Sequence, residues 1–540
     1  MTQYPEGNLK MGTYLNPGNS GFAEKLKTDY IDKTGLIGLI NSTIDTNNKL
    51  TCISRPRRFG KSYAAQMLCA YYDRTCDSRK LFDNYKIAGD KTYNEYLNKY
   101  NVISLDITSF VSEARKEGIP LREVPPRISD AIKQDIENNN SDIRTSGTLN
   151  DALLDLVDKY RSKIVFIIDE WDSMIREAAD DKEAQERYLN LLRGWFKNSN
   201  FTPAAVAAAY ITGILPIKKD GRQSAISDFR EYSVVKPRKF AEYVGFTEEE
   251  VRILCEEKEV SFETMKQWYD GYFFKEAGSV YNPNSVIQAI ENNDFDSYWT
   301  ETSAAESLMD YIRKDYNGLT KTIAELIGGV DVEVDPKGFA NDLVTFRGRD
   351  DVLTLLIHLG YLAYDSEKGT AHIPNEEIRQ EFQRAIREVD NKETVRRLKE
   401  SDKLFLDTIN GNEEGVAAQI EKIHAEETSP LHYNKEDSLR SVIKLAYYTY
   451  RDNYLQWEEL PAGVGFADIV YLPKHNSDWP ALVIELKWNR SAEGAIDQIR
   501  KKNYPEALKD FGSEIILVGI SYDKDAPAGE RKHRCRIERV

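Results

Sequence analysis

The sequence predicts an α/β protein in three parts: a parallel sheet with crossover helices around a phosphate-binding loop, a mainly helical middle region, and a smaller C-terminal α/β domain. Three observations predict it. An apolar run, Leu50-Thr51-Cys52-Ile53, leads through Arg55-Pro56-Arg57-Arg58-Phe59-Gly60-Lys61-Ser62 into Tyr63 to Leu68, where the apolar residues have helical spacing. A second apolar run, Ile164 to Ile168, ends in Asp169-Glu170. Near the C-terminus two strand-like stretches carry Asp468 and the pair Glu485-x-Lys487.

The 540 residues exceed one domain, and 41% hydrophobic with 30% charged residues is the composition of a globular chain with large cores. No apolar run is long enough to span a membrane, and Met1-Thr2-Gln3-Tyr4-Pro5-Glu6 lacks the basic-then-apolar layout of a signal peptide. The expected location is cytoplasmic. Five scattered cysteines without a C-x-x-C pair read as reduced thiols, with Cys52 and Cys69 as core packing. The net charge of −16 argues against coating nucleic acid by global attraction and leaves room for a local basic groove.

Residues 1 to 22, rich in Gly, Asn and Pro, read as a loosely held lead-in, followed by Tyr30-Ile31-Asp32-Lys33-Thr34 and a helical stretch. The loop that follows is built to cradle phosphates. Backbone N–H groups and the helix N-terminus face the anion, Lys61 reaches the terminal phosphates, and the Ser62 hydroxyl holds Mg2+. The pattern G-x-x-x-x-G-K-[ST] has arginine at its first position here, so the loop at Arg55 must start differently from a glycine turn. Arg58, Gly60, Lys61 and Ser62 are the candidate nucleotide contacts; the plainer alternative is a basic loop before a helix.

Apolar runs at Leu50 to Ile53, Asn101 to Ile107, Ile164 to Ile168 and Ala204 to Ile211 read as four strands buried on both faces, with intervening segments long enough for helices. Paired with the phosphate loop, Asp169 suits Mg2+ and Glu170 suits polarising the attacking water. Asp172 reads as a helix N-cap or a supporting group. Thr212, where the fourth run ends, can sense the terminal phosphate or position water, or can be a simple turn residue. From about 225 to 425 helical patterns dominate. The aromatics in Trp268 to Phe274 and Tyr281-Asn282-Pro283 read as core and turn.

In the C-terminal part, Gly465 to Tyr471 and Ala481 to Lys487 form a predicted hairpin with a polar turn at His475 to Asp478. Strand side chains alternate, so Glu485 and Lys487 share a face. Asp468 and Glu485 together can bind Mg2+ or Mn2+ through hard oxygen ligands, and Lys487 can activate water or steady a phosphorane. Glu436, on the apolar face of a preceding helical stretch, is a candidate third metal ligand. The alternative is an ion-pair ladder across a hairpin. Gln498-Ile499-Arg500-Lys501-Lys502-Asn503-Tyr504 reads as a helix whose basic residues touch a nucleic-acid backbone or form a solvated face.

The chain resembles a bacterial and archaeal family that joins an AAA-ATPase-like domain to a C-terminal nuclease-like domain of the PD-(D/E)XK superfamily. The resemblance rests on Tyr30 to Thr34, Arg55 to Ser62, Ile168-Asp169-Glu170, Thr212-Gly213, Tyr269-Asp270-Gly271-Tyr272, Tyr281-Asn282-Pro283 and Ile373-Pro374-Asn375, then Ala467-Asp468-Ile469-Val470, Glu485-Leu486-Lys487 and Gln498-Ile499. It implies a P-loop NTPase domain over 1–225, a mainly helical middle over 226–425, and a restriction-endonuclease-like domain over 426–540. Lys61 and Ser62 would bind phosphate and Mg2+, Asp169 and Glu170 would serve metal and water, and Asp468, Glu485 and Lys487 would form the nuclease core. Related nucleases often carry a Gln and a Tyr four residues apart on the helix after the Lys strand, whereas Gln498 and Tyr504 are six apart.

The expected function is an ATP-dependent, Mg2+-dependent nuclease acting on nucleic acid, DNA first, in defence against foreign nucleic acid. The alternative is a nucleotide-switched scaffold that holds nucleic acid or a protein without cutting. A homo-oligomer would supply a trans-acting arginine, with Arg193 and Arg222 as candidates.

Overall fold

The computed structural model describes residues 11–217, 226–299, 319–327, 329–337, 339, 348–388, 392–427, 443, 447, 454–462, 465–473, 479–501, 514–527 and 530–540. The chain divides into two compact units, residues 1–302 with 333–378, and residues 303–332 with 379–540. Residues 226–425 contribute to both.

The first unit is built on five strands: β1 (Leu50–Ser54), β2 (Asn101–Asp106), β3 (Ile164–Asp169), β4 (Val206–Gly213) and β5 (Arg230–Tyr232). Their order is β2-β3-β4-β1-β5, and every adjacent pair is parallel. The first four are the strands expected from the apolar runs. The polar sequence Arg230-Glu231-Tyr232 gave β5 no such signature, because an edge strand needs only one buried neighbour. Strands β1, β3 and β4 are almost wholly buried, as apolar runs covered by helices on both faces must be.

Helices Ile107–Lys116, Val124–Asn139, Leu149–Tyr160 and Lys182–Phe196 bury apolar stripes in the core shared with the sheet. Their starts are set locally. Asp106 accepts from Thr108 N, and Thr148 with Asp151 forms a reciprocal capping box. The described part of the lead-in, residues 11–22, is held more firmly than its composition predicts: a single oxygen of Asp135 accepts from the backbone N–H groups of Thr13, Tyr14 and Leu15. Leu15 is buried and bridges to Ile103.

The remainder of this unit contains a small antiparallel sheet of β6 (Phe246–Thr247), β7 (Tyr272–Phe274) and β8 (Gly278–Tyr281), in the order β6-β8-β7. Helices Glu248–Glu257, Phe262–Tyr269 and Pro283–Asn292 pack on it, and Arg349–Leu359 belongs to the same unit. Short strands β9 (Val332–Glu333), β10 (Ala363–Asp365) and β11 (Thr370–His372) follow in the chain, with β10 and β11 antiparallel. Tyr269, Tyr272, Phe274 and Tyr281 are buried, as core aromatics should be, whereas Phe273 is exposed on its strand. Asn375 Nδ2 donates to Asp270 O at 2.8 Å, joining two separated polar motifs.

The second unit holds a five-stranded sheet of β12 (Tyr454–Ala462), β13 (Gly465–Pro473), β14 (Ala481–Trp488), β15 (Ile515–Tyr522) and β16 (His533–Arg539), in sequential order. All pairings are antiparallel except β14 with β15, which is parallel. A parallel pair needs a crossover, and helix Ala492–Lys501 lies between these strands in sequence. Ile469, Leu482 and Ile484 pack on one face with Leu404, Val416 and Ile420 of helices Lys392–Ile409 and Glu413–Glu427. Val470, Val483 and Leu517 pack on the other with Ile496 and Ile499.

Candidate functional site

In the parallel sheet, β4 lies between β1 and β3, so the residues at the three carboxyl ends are neighbours: the phosphate loop after β1, Thr212 on β4 and Asp169 closing β3. Gly60 has φ +87° and Arg58 has φ +66°, the left-handed turns that aim the loop into helix Lys61–Tyr72. Arg55 does not turn there. It continues the strand, donating its N–H to Gly213 O at 3.0 Å, and its buried guanidinium donates to Ser54 O and Tyr232 O at 3.1 Å. It also lies over the Phe274 ring, 5.1 Å from its centroid. Burial pushes this guanidinium down to about 10, so it stays charged at neutral pH. The first loop position is therefore a strut between β1 and β5, which is why arginine stands where glycine is common.

Lys61 is buried, and its ammonium donates to Arg55 O at 3.2 Å and Pro56 O at 2.9 Å while pairing with Glu170 Oε1 at 3.2 Å. All three of its protons are thereby engaged. Asp169 accepts from the hydroxyl of Thr212, and Glu170 N donates to Asp169 Oδ1 at 3.1 Å. Burial raises the Asp169 carboxyl above the usual carboxylate range, while hydrogen bonds from Ser62 and Thr212 oppose the rise. Glu170 has φ +50°, a strained setting for a non-glycine residue. Burial opposes its charge, but Lys61 and Arg176 together hold its carboxyl below its ordinary value.

These groups open on a cavity of about 760 Å³. Gly60, Lys61, Ser62, Asp169, Glu170 and Arg176 line its polar end, and Ile31, Phe246 and Ile287 line apolar wall. A Ser hydroxyl beside a half-buried carboxylate is an oxygen donor set suited to Mg2+.

In the second unit, the pairing Ile469↔Ile484 carried one step further sets Asp468 opposite Glu485 on one face of β13 and β14. Asp468 Oδ2 accepts from Leu486 N at 2.8 Å. Lys487 Nζ is 3.1 Å from Glu485 Oε1, and Gln498 Nε2 donates to the same oxygen. Glu485 is buried. Among the described residues no group of three or more His, Cys, Asp or Glu side chains is placed to hold a metal. Two facing carboxylates remain a fitting oxygen pair for a divalent cation.

Residues 22–222 match the family described as predicted AAA-ATPase, and residues 434–528 match the PD-(D/E)XK nuclease superfamily. The chain joins an AAA-ATPase-like domain to a PD-(D/E)XK nuclease superfamily domain. An uncharacterized protein in the vnfD 5'region of Azotobacter chroococcum mcd 1 is 24% identical over 152 residues, which cover 28% of this chain and 29% of that protein. The chain is also similar to the Walker-type ATPase PABY2304 of Pyrococcus abyssi, with 11% identity and a TM-score of 0.33, covering 65% of this chain and 94% of that one.

Within the AAA-ATPase-like domain the structure brings Lys61, Ser62, Asp169 and Glu170 together around the cavity end, while Thr212 is fully buried and reaches the group only through its hydroxyl on Asp169. The Arg58 guanidinium lines the same cavity while donating to Tyr298 O at 2.7 Å. Asp172 is not an N-cap through its side chain; it accepts instead from Leu215 N at 2.9 Å and from Arg176. In the nuclease superfamily domain Asp468, Glu485 and Lys487 are brought together with Gln498. Glu436, Tyr504 and Arg222 lie outside the described residues, and Arg193 is exposed on helix Lys182–Phe196. Sequence reasoning missed Arg176, whose signal was its place one helical turn after Asp172. It also left Ile31, Phe246 and Ile287 without a role, because a cavity wall assembled from distant segments has no local pattern. No helix of the described residues is long and apolar enough to cross a membrane.

Proposed function

We propose that the protein binds and hydrolyses ATP with Mg2+ in the AAA-ATPase-like domain, and that this cycle gates metal-dependent phosphodiester cleavage by its C-terminal domain. The observation that carries the reading is the meeting of Lys61, Ser62, Asp169 and Glu170 at the carboxyl ends of adjacent parallel strands, open to a cavity of nucleotide size, with the buried Thr212 hydroxyl held on Asp169 behind them. Lys61 would take the terminal phosphates, Arg58 and the loop from Gly60 would cradle them, and Ser62 with Asp169 would hold Mg2+. Bound Mg2+ supplies charge neutralisation on the phosphates. Glu170 would orient and polarise the attacking water, Thr212 would sense the terminal phosphate, and the apolar wall at Ile31, Phe246 and Ile287 suits the base.

In the C-terminal domain Asp468 and Glu485, with Glu436 as a third acid, would hold Mg2+ or Mn2+, and Lys487 would act on water or the developing phosphorane. The domain limits we assign are 1–225, 226–425 and 426–540. The nucleic acid is DNA in this reading, the setting is cytoplasmic defence against foreign nucleic acid, and a homo-oligomer would bring a neighbour's arginine to the nucleotide.

The deciding experiment incubates plasmid, single-stranded DNA and RNA with the wild type, Asp468→Asn, Glu485→Gln and Lys61→Met, with Mg2+ or Mn2+ and with or without ATP. Cutting that disappears in the first two variants and loses its ATP response in the third supports a gated nuclease. Intact substrates under all conditions, with ATP still bound by the wild type, replace it with a nucleotide-switched scaffold.

A further inference from the structure

We infer that Arg176 is a positioning residue that keeps the Glu170 carboxylate aimed at the nucleotide cavity once Lys61 is drawn to phosphate; the inference rests on Glu170 polarising the attacking water. In the structure the two oxygens of Glu170 have different holders. Oε1 is 3.2 Å from Lys61 Nζ, and Oε2 accepts from Arg176 Nη2 at 2.9 Å.

The Lys61 holder is temporary. An ammonium has three protons, and those of Lys61 are engaged by two loop carbonyls and Glu170. An arriving phosphate must displace one of these, and replacing the carboxylate by another anion keeps the buried charge neutralised. Oε1 of Glu170 is then released.

The Arg176 holder is fixed from behind. Its Nε donates to Asp172 Oδ2 at 3.1 Å, and that same oxygen accepts from Leu215 N at 2.9 Å and Ile214 N at 3.2 Å. Asp172 is fully buried, and the Arg176 side chain is 11% exposed. Ile214 and Leu215 directly follow β4, the strand whose Thr212 hydroxyl meets Asp169, and Trp171 N donates to Thr212 O at 2.8 Å. Glu170 through Arg176 is thus referenced to the same backbone as Thr212, so acid and hydroxyl keep one geometry. The planar guanidinium suits this bridge because it can face two carboxylates at once. The left-handed backbone of Glu170 is the kind of strained setting that a surrounding clamp must maintain.

The test measures ATP affinity and steady-state hydrolysis for the full-length wild type, Glu170→Gln, Arg176→Met and Arg176→Lys, with thermal melting as a control for folding. Arg176→Met keeps the stem, so MgATP affinity should stay within about threefold of the wild type while kcat falls at least ~10-fold, the scale of losing orientation rather than binding. Arg176→Lys should restore part of kcat by returning a charge near both acids. Unchanged kcat in Arg176→Met overturns the inference, as does a joint loss of affinity and kcat that lysine does not repair. Glu170→Gln separates the two layers. If it turns over like the wild type, the role of Glu170 falls and Arg176 falls with it, whereas an inactive Glu170→Gln beside an unaffected Arg176→Met removes the positioning role alone.

Discussion

Gly519 on β15 stands directly beside Glu485 on β14 in the parallel pairing, and helix Ala492–Lys501 passes so closely over it that a Cβ there would lie 2.4 Å from Ala492 O. The missing side chain lets the helix settle onto the sheet, and the same helix delivers Gln498 to Glu485. Gly519→Ala should therefore lift the helix and cost roughly 1–3 kcal/mol by overpacking. Denaturant unfolding of the full chain checks the stability. Comparison with Gln498→Ala checks the site, because both substitutions should weaken any metal-dependent cutting while only Gly519→Ala unfolds early. Equal stability of Gly519→Ala and wild type would show that the helix yields without cost.

Arg55 offers a test in the opposite direction. Arg55→Gly restores the commoner phosphate-loop pattern, yet it removes a buried guanidinium that donates to Ser54 O and Tyr232 O. Losing these charged hydrogen bonds should destabilise the first unit by roughly 2–4 kcal/mol, with no gain in nucleotide affinity. A variant that binds MgATP more tightly at unchanged melting temperature would refute the strut assignment.

Much of this architecture was legible because buried parallel strands are written as continuous apolar runs, and because Asp169, Thr212 and the phosphate loop are each local punctuation at a strand end. What escaped were features set by tertiary contact. The strand Arg230–Tyr232 has no apolar run, and Arg55 takes its role from Tyr232, 177 residues away. The lead-in composition suggested looseness, but one carboxylate, Asp135, gathers three of its N–H groups. In the C-terminal part, alternation put Glu485 and Lys487 on one face and the hairpin set Asp468 on the neighbouring strand, whereas the reach of Gln498 depends on a helix packing that only Gly519 permits.

Lys61 concentrates the charge balance of the nucleotide cavity. Lys61→Met removes the cation 3.2 Å from Glu170 and the group assigned to the terminal phosphates. MgATP affinity measured by calorimetry should fall roughly 10- to 100-fold, the value of one to two charge-assisted hydrogen bonds. Ser62→Ala should spare binding of ATP without metal and reduce the added affinity that Mg2+ brings. Wild-type affinity in Lys61→Met would place the nucleotide elsewhere.

The last prediction concerns acid stability and comes from a residue outside either site. His358, on helix Arg349–Leu359, is buried with its ring stacked against Phe339 at 5.7 Å between centroids. Burial pushes its imidazole down to about 4. The folded chain therefore keeps His358 neutral while the unfolded chain takes up a proton near the ordinary value of about 6.5. A group whose folded value is depressed in this way holds its stability above about 6.5 and loses it as the pH falls toward 4, because protons then favour the unfolded state. Between about pH 7.5 and pH 5 the wild type should lose about 2 kcal/mol more than His358→Leu, which has no imidazole to protonate. Chemical unfolding of both proteins at the two pH values gives the comparison. Parallel losses would mean that His358 is protonated in the folded chain at its ordinary value.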